Sequence, residues 1–328
     1  DGFWLIAEGS GKVHGINASG PAARNATLEH YRQHAVDGEI PARGPQAVLT
    51  VPGAIDGWRI AHERFGKLPW EALFDAAIDY AAEGVPVSRS LKDWLVQDVP
   101  VLTRFPATAA IFLPGGSVPA EGQRLAQPAL ARSLREIAQK GARAGFYEGG
   151  VGARMCEDIA AQGSPLRDDD LAAFTAQWVE PIRGSYRGHE ALQLPPNTQG
   201  FTALQILQLI EGFDVAAWGD GSADYYHHMA EAVKLAFADR EEWLTDPDFV
   251  DIPVQRLIAS DYADARRRLI DPQRAQDIAQ VPAGIAYPDA HERRAPDGDT
   301  CYFCVADRDG MVVSLIQSIY HDFGWPMA

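Results

Sequence analysis

The chain has 328 residues, 46% of them hydrophobic, and its 45 acidic residues outnumber 29 Lys and Arg residues, which leaves a formal charge of −16. Because neutralising phosphates takes clustered basic side chains, this balance disfavours nucleic acid and acidic membrane surfaces as partners. The three cysteines, Cys156, Cys301 and Cys304, do not form a disulfide scaffold or a zinc-ligand pattern. No apolar stretch approaches the roughly 20 residues of a membrane-spanning helix, so a soluble protein is expected.

Helix and strand signals are interleaved along the chain, with helices in the majority. Residues 2–7 resemble a strand already under way, so we expect further sequence before them. Asp168 is expected to cap a helix, residues 106–122 to form a loop, and the alternating residues 186–194 to form a strand. Apolar residues at helical spacing, ended by Gly or Pro, predict helices over 55–65, 70–82, 127–140, 151–162, 201–211 and 224–243.

Two histidine pairs have to be weighed as metal ligands. His30 and His34 have the i, i+4 spacing of a metal pair, but no Glu of the metalloprotease pattern stands between them. His227 and His228 are adjacent, so on a helix they point about 100° apart. The sequence therefore predicts neither a metal site nor a cofactor.

The end of the chain is the most informative region. Residues 284–298 are mostly polar, with Pro and Gly and no apolar period, which predicts an exposed, flexible linker. A β-prone run, the turn 307–310 and a second strand over 311–319 follow, so Thr300 stands at the head of a predicted hairpin. If the Asp299–Thr300 bond breaks, Thr300 gains an α-amine whose ordinary pKa of about 7.7 to 8.0 suits it to take the proton of its own hydroxyl. On spacing alone, however, a Thr that opens a strand is usually structural.

Residues 299–307, followed by Gly310, Ser314, Ser318, Phe323 and Gly324, resemble the processing junction of the gamma-glutamyltransferase (gamma-glutamyltranspeptidase) family of N-terminal nucleophile hydrolases. Further motifs in family order extend the resemblance over essentially the whole chain; they lie at 51–58, 66–70, 145–149, 178–181, 186–188, 195–200 and 231–240. The resemblance implies an α+β fold, a four-layer αββα sandwich with Thr300 at the edge of the central layer. It also implies that 1–299 is a large-subunit portion with an incomplete N-terminus, and that 300–328 begins a small subunit with an incomplete C-terminus.

The resemblance implies a mechanism for particular residues. In the precursor, the Thr300 hydroxyl would attack the Asp299 carbonyl, and in the mature enzyme it would form an acyl-enzyme and pass the acyl group to water or an amine. Ser318 matches the residue whose hydroxyl binds the new amino terminus; the alternative is a strand residue facing a polar pocket. Cys301 is expected to be a buried apolar neighbour rather than a competing nucleophile. The oxyanion donors of the family are expected beyond residue 328.

Two departures from the family pattern concern the substrate. Asn17 stands where the family's transpeptidases carry an Arg that pairs with the glutamyl α-carboxylate. Arg24 or a downstream residue is a candidate to replace it, although Arg24 is expected to be solvated. Tyr320 stands where the family has an Asn that holds the same end of the substrate. Each lost hydrogen bond to a charged group is worth about 1.5 to 3 kcal/mol. The sequence therefore predicts an acyl group other than gamma-glutamyl.

Three hypotheses remain open: a self-processing amide hydrolase or acyl transferase of this family, a true gamma-glutamyltransferase (glutathione hydrolase), and an unprocessed, non-catalytic homologue. The partners predicted for the first are a small-molecule amide, the chain's own small subunit and, as an option, a second processed heterodimer. Reduced cysteines favour the cytoplasm, and the periplasm or secretion is the alternative.

Overall fold

The computed structural model describes residues 1–34, 38–41, 43–287, 300–320 and 323–324. The strands are β1 (Gly2–Ala7), β2 (Val13–Asn17), β3 (Val85–Pro86), β4 (Arg124–Leu125), β5 (Gln177–Val179), β6 (Ile182–Tyr186), β7 (His189–Gln193), β8 (Cys301–Ala306) and β9 (Val312–Gln317). The helices are α1 (Leu28–His34), α2 (Ala54–Phe65), α3 (Asp75–Glu83), α4 (Arg89–Leu102), α5 (Pro106–Phe112), α6 (Pro128–Ala142), α7 (Gly150–Ala161), α8 (Asp168–Ala173), α9 (Gly200–Glu211), α10 (Val215–Trp218), α11 (Ala223–Trp243), α12 (Val254–Leu257) and α13 (Ser260–Arg267).

Five strands form one antiparallel sheet in the order β5-β2-β1-β9-β8. The central strand β1 is an almost unbroken apolar run, as expected where both faces of a strand are covered. It pairs with β2 on one side, Phe3 opposite Asn17, and with β9 on the other, Phe3 opposite Ile316. The two ends of the chain are thus joined in one sheet.

The two faces of this sheet meet different layers. One face carries Ile6 and Ile16 and packs on α2, α6, α7 and α8 in the largest hydrophobic cluster. The other face carries Phe3 and Leu5 and lines a cavity of about 560 Å³. The opposite side of this cavity is formed by β7, α9 and Phe237 of α11. The β6–β7 hairpin packs on α9, so the order of layers is helices, sheet, hairpin and helices. This arrangement is α+β, as predicted, and the described residues contribute only a two-stranded hairpin to the second sheet layer.

Six predicted helices are confirmed, with ends shifted by one or two residues, although the one expected over 70–82 begins as a 3-10 turn, Glu71–Phe74, before α3.

Three local predictions are wrong. Residues 106–112 form α5, because Pro106 starts a run of helix-forming residues and the glycines come only afterwards. Asp168 is the first residue of α8 and not its cap; the Asp170 side chain instead accepts the Arg167 N–H at 3.0 Å.

The third wrong prediction is the single strand over 186–194, which is the end of β6, a turn and β7. Arg187 and Gly188 both have positive φ, 49° and 80°, as a two-residue hairpin turn requires. Residues 187–190, Arg-Gly-His-Glu, interrupt the apolar alternation, and Gly188 is the local sign of this turn.

Candidate active site

Thr300 and Ser318 lie at one end of the sheet on neighbouring strands. The hairpin predicted for this region is confirmed: β8 pairs with β9, and Cys301 lies opposite Gln317. Continued by one residue, this antiparallel register places Thr300 opposite Ser318. Ser318 is tied to the next strand as well, since its N–H donates to the Asp1 carbonyl at 3.3 Å. Thr300 is exposed and Ser318 is half-buried, so a substrate can reach both.

Tyr320 adjoins the same end of the sheet. Its backbone N–H donates to the Ser318 Oγ at 2.9 Å, and its φ of 77° lies in the left-handed region. The side chain of Tyr320 is 46% exposed. The chain therefore turns sharply after Ser318, and the turn brings Tyr320, a predicted substrate-binding residue, next to a predicted catalytic one.

Asn17 belongs to a closed ring of hydrogen bonds. Its Nδ2 donates to the Asn197 Oδ1 at 2.8 Å, the Asn197 Nδ2 donates to the Ser19 Oγ at 3.0 Å, and the Ser19 Oγ donates to the Asn17 Oδ1 at 2.9 Å. The Asn17 Oδ1 also accepts the Ser19 N–H at 3.1 Å. Each Asn amide has two N–H donors, and the ring uses one of each. This neutral ring, Asn17–Ser19–Asn197, leaves the second N–H of both amides available to an acceptor.

The ring and Thr300 lie on the same face of the sheet. Residues directly opposite one another in a sheet share a face, so Asn17, Phe3, Ile316 and Tyr302 point the same way, and so does Thr300, two residues from Tyr302. Asn17 lies three strand spacings, or roughly 14 Å, from Tyr302, and Thr300 is two residues before Tyr302 in the chain. Phe3, Ile316 and Tyr302 also line the cavity of about 560 Å³, which therefore opens on this face.

Arg24 is committed elsewhere. Its Nη2 donates to the Asp169 carbonyl at 3.3 Å, its Nε lies 3.7 Å from the Asp170 carboxylate, and 65% of its side chain is exposed. Both acids belong to the first turn of α8, where a cation neutralises part of the local negative charge. The structure therefore brings together Thr300, Ser318 and Tyr320 and, on the same sheet face, Asn17, but it holds Arg24 at α8.

Three other expectations about this region can be compared with the structure. Asp299, the carbonyl side of the predicted junction, lies outside the described residues, as do residues 288–298 of the predicted linker. Residues 284–287, predicted as part of that linker, are instead hydrogen-bonded to α11: the Gly284 N–H donates to Asp239 at 2.7 Å and the Tyr287 N–H to Glu242 at 2.6 Å. Cys301 is exposed and not buried, because β8 is the edge strand of the sheet.

The described residues offer no cluster of three or more His, Cys, Asp or Glu side chains that could hold a metal ion. His30 and His34 stack on each other, with ring centroids 4.4 Å apart, and the His34 ring bonds the His30 carbonyl. In the same described ranges, no helix combines the length and the apolar character needed to cross a bilayer.

Comparison with known proteins identifies the family. A model of the gamma-glutamyltranspeptidase family matches residues 1–327. The chain is 38% identical over 325 residues to a glutathione hydrolase-like proenzyme, YwrD, of Bacillus subtilis, covering 99% of this chain and 58% of the relative. It is 37% identical over 329 residues to the oxamate amidohydrolase proenzyme of Klebsiella pneumoniae, covering 99% of this chain and 59% of the relative. The crystal structure of cephalosporin acylase from Bacillus halodurans superposes with a TM-score of 0.85 at 31% identity, covering 100% of this chain and 58% of the other.

The chain belongs to the gamma-glutamyltranspeptidase family. The family resemblance of the sequence is thereby confirmed, and so is the fold class, since cephalosporin acylase and gamma-glutamyltranspeptidase are its structural neighbours. The chain spans just under three fifths of the length of the two curated relatives described above.

Sequence reasoning missed Ser19 and Asn197. Asn17 and Asn197 are 180 positions apart, so their contact is not visible in the sequence. The sequence does show an Asn after two prolines, at the turn between β7 and α9. It does not show that this turn contacts the end of β2.

Proposed function

We propose that this chain is the nucleophile-bearing part of a self-processing amide hydrolase or acyl transferase, with Thr300 as the nucleophile. The observation that carries the proposal is the placement of Thr300 at the exposed head of β8, opposite Ser318, in a chain of this family. Two relatives named as proenzymes and one named as an acylase support the same reaction class. On this proposal, residues 1–299 belong to the large subunit and residues from Thr300 onward to the small one.

The proposed processing step is an N-to-O acyl shift. The Thr300 hydroxyl adds to the Asp299 carbonyl, the Asp299–Thr300 C–N bond breaks, an ester forms, and the hydroxyl proton passes to the departing nitrogen. Water then hydrolyses the ester to the Asp299 carboxylate and regenerates the Thr300 hydroxyl beside a free α-amine. Ser318, opposite Thr300 in the register, is suited to hydrogen-bond that amine and to hold it near the hydroxyl.

The mature reaction repeats this chemistry on a second amide. The α-amine takes the hydroxyl proton, the Thr300 Oγ attacks the substrate carbonyl, and the amine of the substrate leaves with that proton. The resulting acyl-enzyme is released by water in a hydrolase or by another amine in a transferase. One residue supplies both nucleophile and base, because the ordinary pKa of an α-amine, about 7.7 to 8.0, lies close to neutral pH.

The neutral ring supports an acyl group other than gamma-glutamyl. Asn17, Ser19 and Asn197 carry no charge, and Arg24 is held at α8, so the ring lacks the cation that would pair with an α-carboxylate. Two amide N–H groups instead suit a carbonyl or other neutral acceptor on the acyl group. The relatives named for oxamate and for cephalosporin illustrate two such departures within the family.

The decisive experiment is self-cleavage of the full-length protein. Wild type is expected to convert to two fragments on a denaturing gel, with Thr300 at the new amino terminus by mass spectrometry. Thr300→Ala is expected to stay one chain, while the matched variant Thr300→Ser, which keeps a hydroxyl, is expected to cleave. A wild type that never splits would establish the non-catalytic alternative.

A substrate panel then separates the two enzymatic alternatives. The mature enzyme is offered a gamma-glutamyl anilide, neutral acylamides and oxamate, and kcat/KM is compared. We expect the neutral acylamides to be preferred over both carboxylate-bearing compounds, the gamma-glutamyl anilide and oxamate, because the ring carries no cation. Efficient turnover of the gamma-glutamyl compound would instead identify a true glutathione hydrolase and would refute the roles given to Asn17 and Tyr320.

A further inference from the structure

Helix α2 lies directly against the end of the sheet that carries the candidate site. A Cβ placed on Gly53 would lie 2.2 Å from the Ala18 carbonyl oxygen, and one on Gly57 would lie 2.9 Å from the Ala18 Cβ. The helix backbone therefore touches the strand end immediately after Asn17. Asp56, fully buried, fixes the same turn of α2, since its carboxylate accepts the Ala176 N–H at 2.7 Å.

The side chain of Trp58, also on α2, contacts the last residue of β9, which lies next to Ser318 in the candidate site. Its Nε1–H donates to the Gln317 Oε1 at 2.9 Å. The indole packs edge-on against the buried Phe74, with ring centroids 6.2 Å apart, and Phe74 packs in turn on Trp70 at 5.0 Å. The indole that carries this N–H donor is thus held in place by aromatic rings of the main hydrophobic cluster.

Gln317 is the residue through which this contact can act on the nucleophile. It is the last residue of β9 and pairs with Gly2 of β1 and with Cys301 of β8. The next pair in the ladder is Ser318 and Thr300. Because side chains alternate along a strand, Gln317 points toward α2 while Ser318 points to the opposite face.

We propose that Trp58 is a positioning residue for Thr300 and Ser318, acting through Gln317 from the other side of the sheet. The inference rests on the proposed function. The hydrogen bond to Gln317 restrains the end of the β8–β9 ladder, where β8 pairs, among the described residues, with β9 alone. Holding that end in register keeps the Thr300 Oγ in position to attack, first the junction carbonyl and then the substrate carbonyl. The rates of both reactions depend steeply on this placement.

The test uses Trp58→Phe in the full-length protein, which keeps an aromatic ring and removes the N–H donor. We expect self-cleavage to slow about tenfold, equivalent to about 1.4 kcal/mol of transition-state stabilisation. In the mature enzyme we expect kcat per titrated active site to fall by a similar factor with KM nearly unchanged. Active-site titration is part of the test, because a smaller folded fraction alone would also lower the apparent kcat at constant KM. The matched control is Trp94→Phe, since Trp94 lies on α4 with 41% of its side chain exposed, and it is expected to leave both rates unchanged.

A double-mutant cycle identifies Gln317 as the intermediary. Gln317→Met is expected to slow self-cleavage as Trp58→Phe does, and the double variant is expected to be no slower than either single variant. An unchanged rate in Trp58→Phe, or equal and multiplying losses in the double variant, overturns the inference. Either result leaves the proposed function standing if wild type cleaves and Thr300→Ala does not, whereas cleavage of Thr300→Ala would refute the proposed function itself.

Discussion

At the scale of single residues, the candidate site separates reaction chemistry from substrate recognition. Thr300 and Ser318 form one side of it, at the β8 end of the strand order seen in the described residues, and the neutral ring forms the other side, three strands away. All of these side chains are uncharged. The only ionisable group that the proposed reaction needs is the α-amine that cleavage itself creates at Thr300.

The first prediction concerns the neutral ring. Asn197→Ala and Asn17→Ala are each expected to raise KM for the best acylamide substrate about fivefold, because each removes a hydrogen-bond donor worth about 1 kcal/mol. Self-cleavage, which involves no external substrate, is expected to keep its wild-type rate. Steady-state kinetics check the first expectation and gel densitometry the second.

The control for this prediction is Asn25→Ala, an exposed asparagine in the turn before α1. It is expected to change neither quantity. If the two ring variants retained the wild-type KM for every compound in the panel, the ring would be a structural turn and not a recognition element.

At the scale of elements, α11 is the main support of the chain before the junction. Glu231, fully buried on this helix, accepts the Gln276 Nε2–H at 2.9 Å and pairs with Lys234 at 2.6 Å. Further along the helix, Asp239 and Glu242 bond the backbone of residues 284 and 287. A single helix thus anchors the segment 276–287 at successive points, which explains why residues 284–287 do not behave as the linker predicted from their composition.

The second prediction follows from Glu231. Burial alone would raise its pKa, but hydrogen bonds from Lys234 and Gln276 outweigh burial and leave the pKa below its usual value. A carboxyl whose pKa is lowered in the folded state stabilises the fold above its unfolded pKa, and that stabilisation is lost as pH falls through the folded pKa. Glu231→Gln is therefore expected to lower the free energy of unfolding by about 2 kcal/mol at pH 7 and by less at pH 3.

Urea unfolding at the two pH values measures this difference. Glu157→Gln, on the exposed side of α7, is the matched control and is expected to change stability by less than about 0.5 kcal/mol. An equal loss at pH 7 and pH 3 in Glu231→Gln would show that the carboxylate charge does not contribute.

At the scale of the whole molecule, the two sides of the junction share one sheet. β9 lies between β1 and β8, its Leu315 is buried, and its Val313 packs on the main hydrophobic cluster. A break before Thr300 therefore leaves the hairpin β8–β9 held by a full ladder of backbone hydrogen bonds to β1.

The third prediction is that the cleaved protein stays together. Wild type is expected to give two chains on a denaturing gel but a single peak in size-exclusion chromatography, at the elution volume of uncleaved Thr300→Ala. The fragments are expected to separate only in denaturant. A small fragment that elutes alone in native buffer would contradict the sheet order described here.

Much of the local structure was predictable, because helix periods and turn residues act over a few positions. The helices over 55–65 and 201–211 and the hairpin headed by Thr300 were found in this way. The errors have local causes as well. The turn at Arg187 and Gly188 is marked only by the short polar stretch 187–190 between two β-prone pieces, and α5 was hidden by the prolines and glycines that follow it.

The sequence by itself determined the family, the nucleophile candidate and the absence of a cation at Asn17, since each of these is a matter of which residue stands at which position. Only the tertiary structure decided which residues meet. It placed Asn197 against Asn17 and Ser19, held Arg24 at α8, and set Trp58 against the residue that precedes Ser318. The physical reason is that strand order and helix-to-sheet packing join positions as many as 317 residues apart, and no local pattern records such contacts.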